Sequence, residues 1–70
     1  MKRRRSLLTV REREVVQLIA VGNSNKKIAR LLSRSIKTVE THRSASMRKL
    51  DVHTTADLVR YAVRNGLVLP

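Results

Sequence analysis

The fold is decided by residues 24–50, which read SNKKIARLLSRSIKTVETHRSASMRKL. Ser24 and Ser35 each stand just before a stretch with helical spacing of apolar residues, and serine is a preferred N-cap residue. The pattern predicts one helix from about Asn25 to Leu32 and a second from Ile36 to Leu50, separated by the turn Ser33–Arg34. Two helices joined by so short a turn predict a helix-turn-helix unit.

The longer helix has two different faces when its residues are placed about 100° apart. The side predicted to point inward is centred on Val39 and carries His42, Arg43, Ser46, Met47 and Leu50. The opposite side carries four residues that can donate hydrogen bonds: Lys37, Thr41, Ser44 and Arg48. Such side chains suit DNA base edges and phosphates, whereas a merely solvated face tends to interleave both charges. Glu40 is the single acidic residue of this helix.

Two further helices flank this unit. Thr9 and Glu12 have the spacing of a capping box, so a first helix should begin after Thr9 and end at Gly22. A last helix should begin at Thr54 or Thr55 and end at Gly66, followed by a tail that packs back or frays. The residues predicted to face the core are Val15, Val16, Leu18, Ile19 and Ala20, then Ile28, Ala29, Leu31 and Leu32, and finally Leu58, Val59, Ala62 and Val63. The predicted fold is therefore all-α, with four helices and no strand.

The chain is strongly basic, with 16 Lys and Arg residues against 5 Asp and Glu residues and a formal net charge of +11. Between Gly22 and Leu50, Glu40 alone opposes eight basic residues. This concentration of charge indicates a phosphate-rich partner. Tyr61 is the one aromatic residue, which argues against a protein that stacks single-stranded bases on aromatic rings.

A chain of 70 residues forms one domain. Residues 1–8, with a run of Lys and Arg at positions 2–5, are predicted to be a basic arm or a linker, and residues 9–70 the folded domain.

The sequence lacks the usual residues of an enzyme or metal site. It has no cysteine, no Gly-rich phosphate loop and no metal-ligand cluster around His42 or His53, so no enzyme, metal or cofactor is expected. No apolar run is long enough for a signal peptide or a spanning helix, so we expect a cytoplasmic protein without a membrane partner.

Several short motifs stand in a specific order along these helices. They are Leu8-Thr9-x-Arg11-Glu12-x-Glu14-Val15-Val16, Gly22, Asn25-Lys26-x-Ile28-Ala29-x-x-Leu32, Ser35-x-x-Thr38-Val39-x-x-His42-Arg43 and Lys49-Leu50. In this combination the chain resembles the C-terminal DNA-binding domain of LuxR/FixJ/NarL-type transcription regulators, the output domain of many response regulators. The segment from Asp57 to Ala62 looks most like the FixJ branch.

The resemblance implies four helices, with the third in the major groove as the recognition helix and the fourth used in dimerisation. It places base contacts on Glu40, Thr41 and Ser44, and backbone contacts on or near Lys26, Lys37, Thr38, Arg43 and Lys49. The analysis of the helix faces adds Arg48 as a backbone contact. It does not place Glu40 on the outward side, but the carboxylate of Glu40 could accept a hydrogen bond from a cytosine amine, so Glu40 stays among the predicted base contacts. Arg60 and Tyr61 are expected near the dimer contact.

Three residues depart from the pattern of this family. Arg34 stands where an apolar residue is common, so the turn should be more exposed. Ser46 stands where a larger apolar residue is common, which should thin the core beneath the recognition helix. Thr55 stands where arginine is frequent, so a contact that this arginine makes in relatives is not carried over.

Three classes of function stay open at this point. The first is a transcription regulator that binds double-stranded DNA as a homodimer on two half-sites, with RNA polymerase and an N-terminal receiver or sensor domain as further partners. The second is the promoter-reading domain of a sigma factor acting within RNA polymerase, which a fourth helix after the recognition helix disfavours. The third is a cationic membrane or RNA binder, which the absence of Phe and Trp disfavours.

Overall fold

The computed structural model describes residues 7–68 of the chain. They form four helices, α1 (Val10–Ala20), α2 (Asn25–Leu32), α3 (Ile36–Leu50) and α4 (Thr55–Arg64). No strand occurs between residues 7 and 68, so the predicted all-α class is confirmed. The predicted bounds of α2 and α3 are confirmed as well, and α2, the short turn and α3 form the helix-turn-helix unit.

Each helix begins at a hydroxyl-bearing residue. The caps are Thr9, Ser24, Ser35 and Thr54, and each accepts a hydrogen bond from the backbone amide three residues later. At α1 the predicted capping box is complete, because the Thr9 amide also donates to Oε1 of Glu12 at 2.9 Å. Of the two predicted caps of α4, Thr54 takes that role and Thr55 is the first helical residue.

Each helix is followed by a residue in the left-handed region, which lets the next amides bond back to the last carbonyls. Gly22, at φ +100°, and Gly66, at φ +72°, adopt it at little cost because glycine has no Cβ atom. Ser33 and Asp51 adopt it at φ 55° and 56° as short polar residues. The turns at Gly22, Ser33 and Asp51 set the directions in which α2, α3 and α4 leave their predecessors, and the turn at Gly66 sets the direction of the tail.

The core lies between α1 and the other three helices. Its buried members are Leu8, Val15, Val16, Ile19, Ile28, Ala29, Val39, Leu58 and Ala62. The predicted core residues Leu18, Ala20 and Leu32 pack against it while partly exposed. The prediction for Leu31 is wrong, since its side chain is 54% exposed. Leu31 lies about 100° around α2 from the centre of the buried stripe, on the side of Lys27 that no other helix covers.

The described part of the C-terminal tail packs back on the core, as the first of the two predicted outcomes has it. Leu67 and Val68 contact the core, and the Leu67 carbonyl accepts a hydrogen bond from Nε2 of Gln17 at 3.1 Å. The basic residues at positions 2–5 and the last two residues lie outside the described range. No helix in residues 7–68 has the length and apolarity needed to cross a membrane.

Candidate nucleic-acid interface

The outward face of α3 forms a shallow open depression of about 290 Å³. Its lining residues recur at helical spacing along three turns: Lys37, Glu40, Thr41, Ser44, Ala45 and Arg48. The structure therefore brings the three predicted base-contact residues together on one face. It also places Lys37 and Arg48 beside them, so the helix-face analysis and the family resemblance select parts of the same surface.

The centre of this face offers hydrogen-bond acceptors and small apolar groups. The exposed Thr41 side chain uses its hydroxyl proton on the backbone carbonyl of Lys37 at 3.0 Å, so its oxygen remains available as an acceptor. Glu40 is exposed and has no ion-pair partner among residues 7–68, so its carboxylate is free to accept. Ser44 adds a hydroxyl that can donate or accept. These groups match the amines, carbonyls and methyls of base edges in the major groove.

Two buried residues hold the opposite face of α3 against the rest of the domain. The side chains of Val39 and Ser46 are both 0% exposed. Ser46 was expected to thin the core, and it does replace bulk with a hydroxyl, but that hydroxyl donates to the His42 carbonyl at 2.7 Å. Because the buried hydroxyl is hydrogen-bonded, the cost of removing it from water is offset at this position.

Most cations of α2, the turn and α3 have no acidic partner within residues 7–68. The unpaired residues are Lys26, Lys27, Arg30, Arg34, Lys37, Arg43 and Arg48. On α1 and α4, Arg11 pairs with Glu14 at 2.9 Å and Arg60 pairs with Asp57 at 2.6 Å, while Arg64 has no acidic partner within residues 7–68. The positive charge left for an external anion is therefore concentrated on α2, the turn and α3, with Lys37 and Arg48 on the outward face of α3 itself. Arg34 is exposed, as expected from its position in the turn.

Lys49 is the exception among the cations of α3. Its ammonium lies 2.8 Å from Oε1 of Glu12, a carboxylate that is only 6% exposed. Burial raises the pKa of Glu12. The hydrogen bonds from Lys49 and Thr9, together with the charge of Lys49, lower the pKa by more than burial raises it, so it lies below its ordinary value. An ammonium has three donors, so any phosphate contact by Lys49 would use those not directed at Glu12.

Arg43 also makes contacts within the domain. Its guanidinium donates to Oδ1 of Asn25 at 3.1 Å and to the hydroxyl of Thr55. Asn25 is the first residue of α2 and Thr55 the first residue of α4, so Arg43 connects three helices. Thr38, the remaining predicted backbone contact, lies at the start of α3, where its amide donates to Oγ of Ser35 and its hydroxyl oxygen accepts from the Ser35 hydroxyl, at 3.0 Å each.

The two residues expected at the dimer contact lie on α4. Arg60 is exposed and Tyr61 half-buried, and both line a second depression of about 320 Å³. Its other lining residues are Leu50, Asp51, Val52, Asp57 and Arg64. The hydrogen bond from Arg60 is the main cause that holds the pKa of Asp57 below its ordinary value. This depression involves the end of α3 and α4, whereas the base-contact residues lie on the outward face of α3.

Four residues of the interface were not selected as contacts from the sequence. Ala45 lines the outward depression, Glu12 holds Lys49, and Asn25 and Thr55 hold Arg43. Ala45 could have been found, because it lies one helical turn after Thr41. The other three act through partners that are 12 to 37 positions away, and no local pattern reveals such pairs.

The chain matches the family described as bacterial regulatory proteins, luxR family, over residues 6–62. It is 55% identical over 60 residues to the uncharacterized response regulatory protein YgeK of Escherichia coli, covering 86% of this chain and 41% of that protein. It is 49% identical over 61 residues to the transcriptional regulatory protein MctR of Rhizobium johnstonii, covering 87% of this chain and 28% of that protein.

A third relative is the oxygen regulatory protein NreC of Staphylococcus haemolyticus, at 45% identity over 62 residues that cover 89% of this chain and 29% of that protein. The chain thus spans less than half the length of each of these three relatives. The match to the family model extends over most of the chain and includes α1, α2, α3 and most of α4. The resemblance noted in the sequence is therefore confirmed, and the chain belongs to the luxR family of bacterial regulatory proteins, of which it forms a helix-turn-helix domain.

Proposed function

We propose that this domain binds double-stranded DNA in a sequence-specific manner, with α3 in the major groove, as the DNA-binding part of a transcription regulator. The observation that carries the proposal is the outward face of α3, where short polar side chains lie between Lys37 and Arg48, two cations that lack an acidic partner within residues 7–68. A binding module needs this combination, because base edges provide specificity and phosphates provide affinity.

In this proposal the base edges are contacted by Glu40, Thr41 and Ser44. Glu40 accepts a hydrogen bond from a cytosine amine, since its carboxylate is exposed and unpaired within the described range. Thr41 presents its methyl group to a thymine methyl or its oxygen to an amine, because its hydroxyl proton is directed to Lys37. Ser44 lies one turn further along the same face.

The DNA backbone is contacted from both sides of this face. The proposed contacts are Lys26, Lys37, Thr38, Arg43, Arg48 and Lys49. Lys26 lies in the first turn of α2, where the helix dipole and the free amides add to its attraction for a phosphate. Lys37 and Arg48 lie near opposite ends of the outward depression, which supports the proposal that they contact the strands bordering the groove. The basic segment at positions 2–5 would add phosphate contacts as an arm.

The active species on DNA is proposed to be a homodimer that contacts two half-sites about one helical turn apart. The supporting feature is α4, which buries Leu58 and Ala62 against the core and leaves Arg60 and Tyr61 at the surface. Sedimentation on a duplex with two half-sites should show two copies bound, and Tyr61→Ala together with Arg60→Ala should favour one copy. A single copy bound by the wild-type protein on that duplex would contradict the dimer.

The names and lengths of the relatives support a proposal about the wider role of the protein. Two of them are named a response regulatory and a transcriptional regulatory protein, and the chain spans 41% and 28% of their lengths. We propose that a receiver or sensor domain, and contact with RNA polymerase, complete the regulator. The packing of α4 on α1 supports this regulator over a sigma-factor domain. Purification of the protein as a stoichiometric polymerase subunit would favour the sigma factor.

A selection from a random pool of duplexes tests the proposed function. The bound duplexes should converge on a common sequence, and a gel shift should then show that this duplex binds more tightly than a random duplex of equal length. A typical specific site binds about 10³-fold or more tightly than non-specific DNA. Equal affinity for the selected and the random duplex would overturn sequence-specific binding.

A further inference from the structure

The Arg43 guanidinium is fixed by two neutral acceptors. Nη1 donates to Oδ1 of Asn25 at 3.1 Å, and Nη2 donates to the Thr55 hydroxyl. No carboxylate between residues 7 and 68 forms an ion pair with it. The group is therefore held in one orientation while its charge remains available.

The surroundings of this guanidinium are electropositive. Asn25 and Thr55 are the first residues of α2 and α4, and the N-terminal end of a helix carries a partial positive charge. Lys26 follows Asn25 in the same turn and is exposed. A cation beside two helix N-termini is unfavourable in the free protein, and a phosphate placed there would interact favourably with the guanidinium and both helix ends.

The guanidinium also has donors left for such a phosphate. Arginine carries five N–H groups in a planar fork, and two of those of Arg43 are used by Asn25 and Thr55. The others can donate to phosphate oxygens in the fork geometry that arginine favours.

We propose that Asn25 and Thr55 are positioning residues that hold the Arg43 guanidinium for a phosphate of the DNA backbone. The inference rests on the proposed function. It adds that the side chain of one backbone contact is oriented before DNA binds. Because the orientation is set in the free protein, less side-chain entropy is lost on binding. Neither Asn25 nor Thr55 needs to touch DNA for this effect.

Salt-dependent affinity of single and double variants tests the inference. On the selected duplex, Thr55→Val should bind about fivefold more weakly, because the guanidinium loses one of its two acceptors and about fivefold corresponds to one hydrogen bond of typical strength. Its slope of log K against log salt should stay unchanged, since no charge is removed. Arg43→Gln should lower the magnitude of that slope by about 0.9, as expected for one lost phosphate contact. In the Arg43→Gln background, Thr55→Val should cause no further loss, because its effect runs through Arg43.

Two further variants keep the test specific. Thr55→Ser keeps the hydroxyl and should restore wild-type affinity, while urea unfolding of each variant shows that the fold is retained. Asn25→Asp keeps the size of the side chain but neutralises Arg43, so it should lower the salt slope by about 0.9 as well. Additive losses in the double variant, or wild-type affinity for Thr55→Val, would overturn the positioning role. A wild-type protein that binds no duplex would overturn the proposed function itself.

Discussion

The Nζ atom of Lys49 lies 2.8 Å from Oε1 of Glu12, which joins the last turn of α3 to the first turn of α1. The same carboxylate oxygen accepts the Thr9 amide at 2.9 Å. One buried carboxylate therefore completes the N-terminal cap of α1 and fixes the end of the recognition helix. Since Val39 and Ser46 hold the middle of α3, this ion pair gives the helix a further point of attachment.

Glu12→Gln should destabilise the domain through this ion pair alone. Glutamine still completes a capping box, so the cap of α1 is retained while the charge is removed. We expect a loss of about 1–2 kcal/mol, near the lower end for hydrogen bonds to charged groups because Lys49 is partly exposed. Urea unfolding at pH 7 measures it. As a control, Glu14→Gln removes the exposed pair with Arg11 and should cost less than about 1 kcal/mol. Equal effects of the two variants would contradict a special role for Glu12.

The contribution of Glu12 should depend on pH in a defined direction. Its pKa in the folded protein lies below the ordinary value of 4.5, so the stability it provides is fully present above pH 4.5. That stability is lost as the pH falls below 4.5 and through the folded pKa. The difference in unfolding free energy between wild type and Glu12→Gln should therefore shrink in acid, measured by urea unfolding from pH 7 down to pH 3. A difference that grows in acid would contradict the lowered pKa.

Thr41→Ala and Ser44→Ala should weaken binding to the selected duplex by about 1–3 kcal/mol each. They remove groups that face base edges, so binding to a random duplex should stay nearly unchanged. Anisotropy titrations with both duplexes measure the two effects. Thr41→Ser keeps the hydroxyl and removes the methyl, which shows which of the two groups is used. Equal losses on both duplexes would contradict the assignment of Thr41 to a base.

Lys26→Ala should weaken binding to every duplex alike. It removes one cation at the N-terminus of α2, so the magnitude of the salt slope should fall by about 0.9. Arg11→Ala is the matched control, because Arg11 lies on α1 and is already neutralised by Glu14 at 2.9 Å. A slope that changes equally in both variants would show that net charge, and not the position of Lys26, determines binding.

Much of the fold follows from local signals in the sequence. The four hydroxyl caps and the glycines at 22 and 66 mark helix ends, because capping depends on neighbours within a few positions. The two faces of α3 also follow from helical periodicity, and Val39 is buried while Thr41 is exposed. Leu31 was placed wrongly because a short helix has too few residues to define its buried stripe, and only the packing of α1 and α3 decides it.

The contacts between helices could not be derived in the same way. Glu12 and Lys49 are 37 positions apart, and Arg43 and Asn25 are 18 apart. Periodicity places each of these side chains on a face of its own helix but does not say which face of another helix meets it. The sequence thus indicates where DNA should bind, whereas the structure shows how the binding helix is held.

The central claim is that the outward face of Ile36–Leu50 meets the bases. It is tested most directly by following the backbone amide shifts of the domain while the selected duplex is titrated in. We predict that the largest shifts occur at the outward residues of α3, Lys37, Glu40, Thr41, Ser44 and Arg48, with small shifts along α1. The claim would be contradicted if the α3 amides kept the chemical shifts of the unbound protein at saturation while amides of other helices changed theirs.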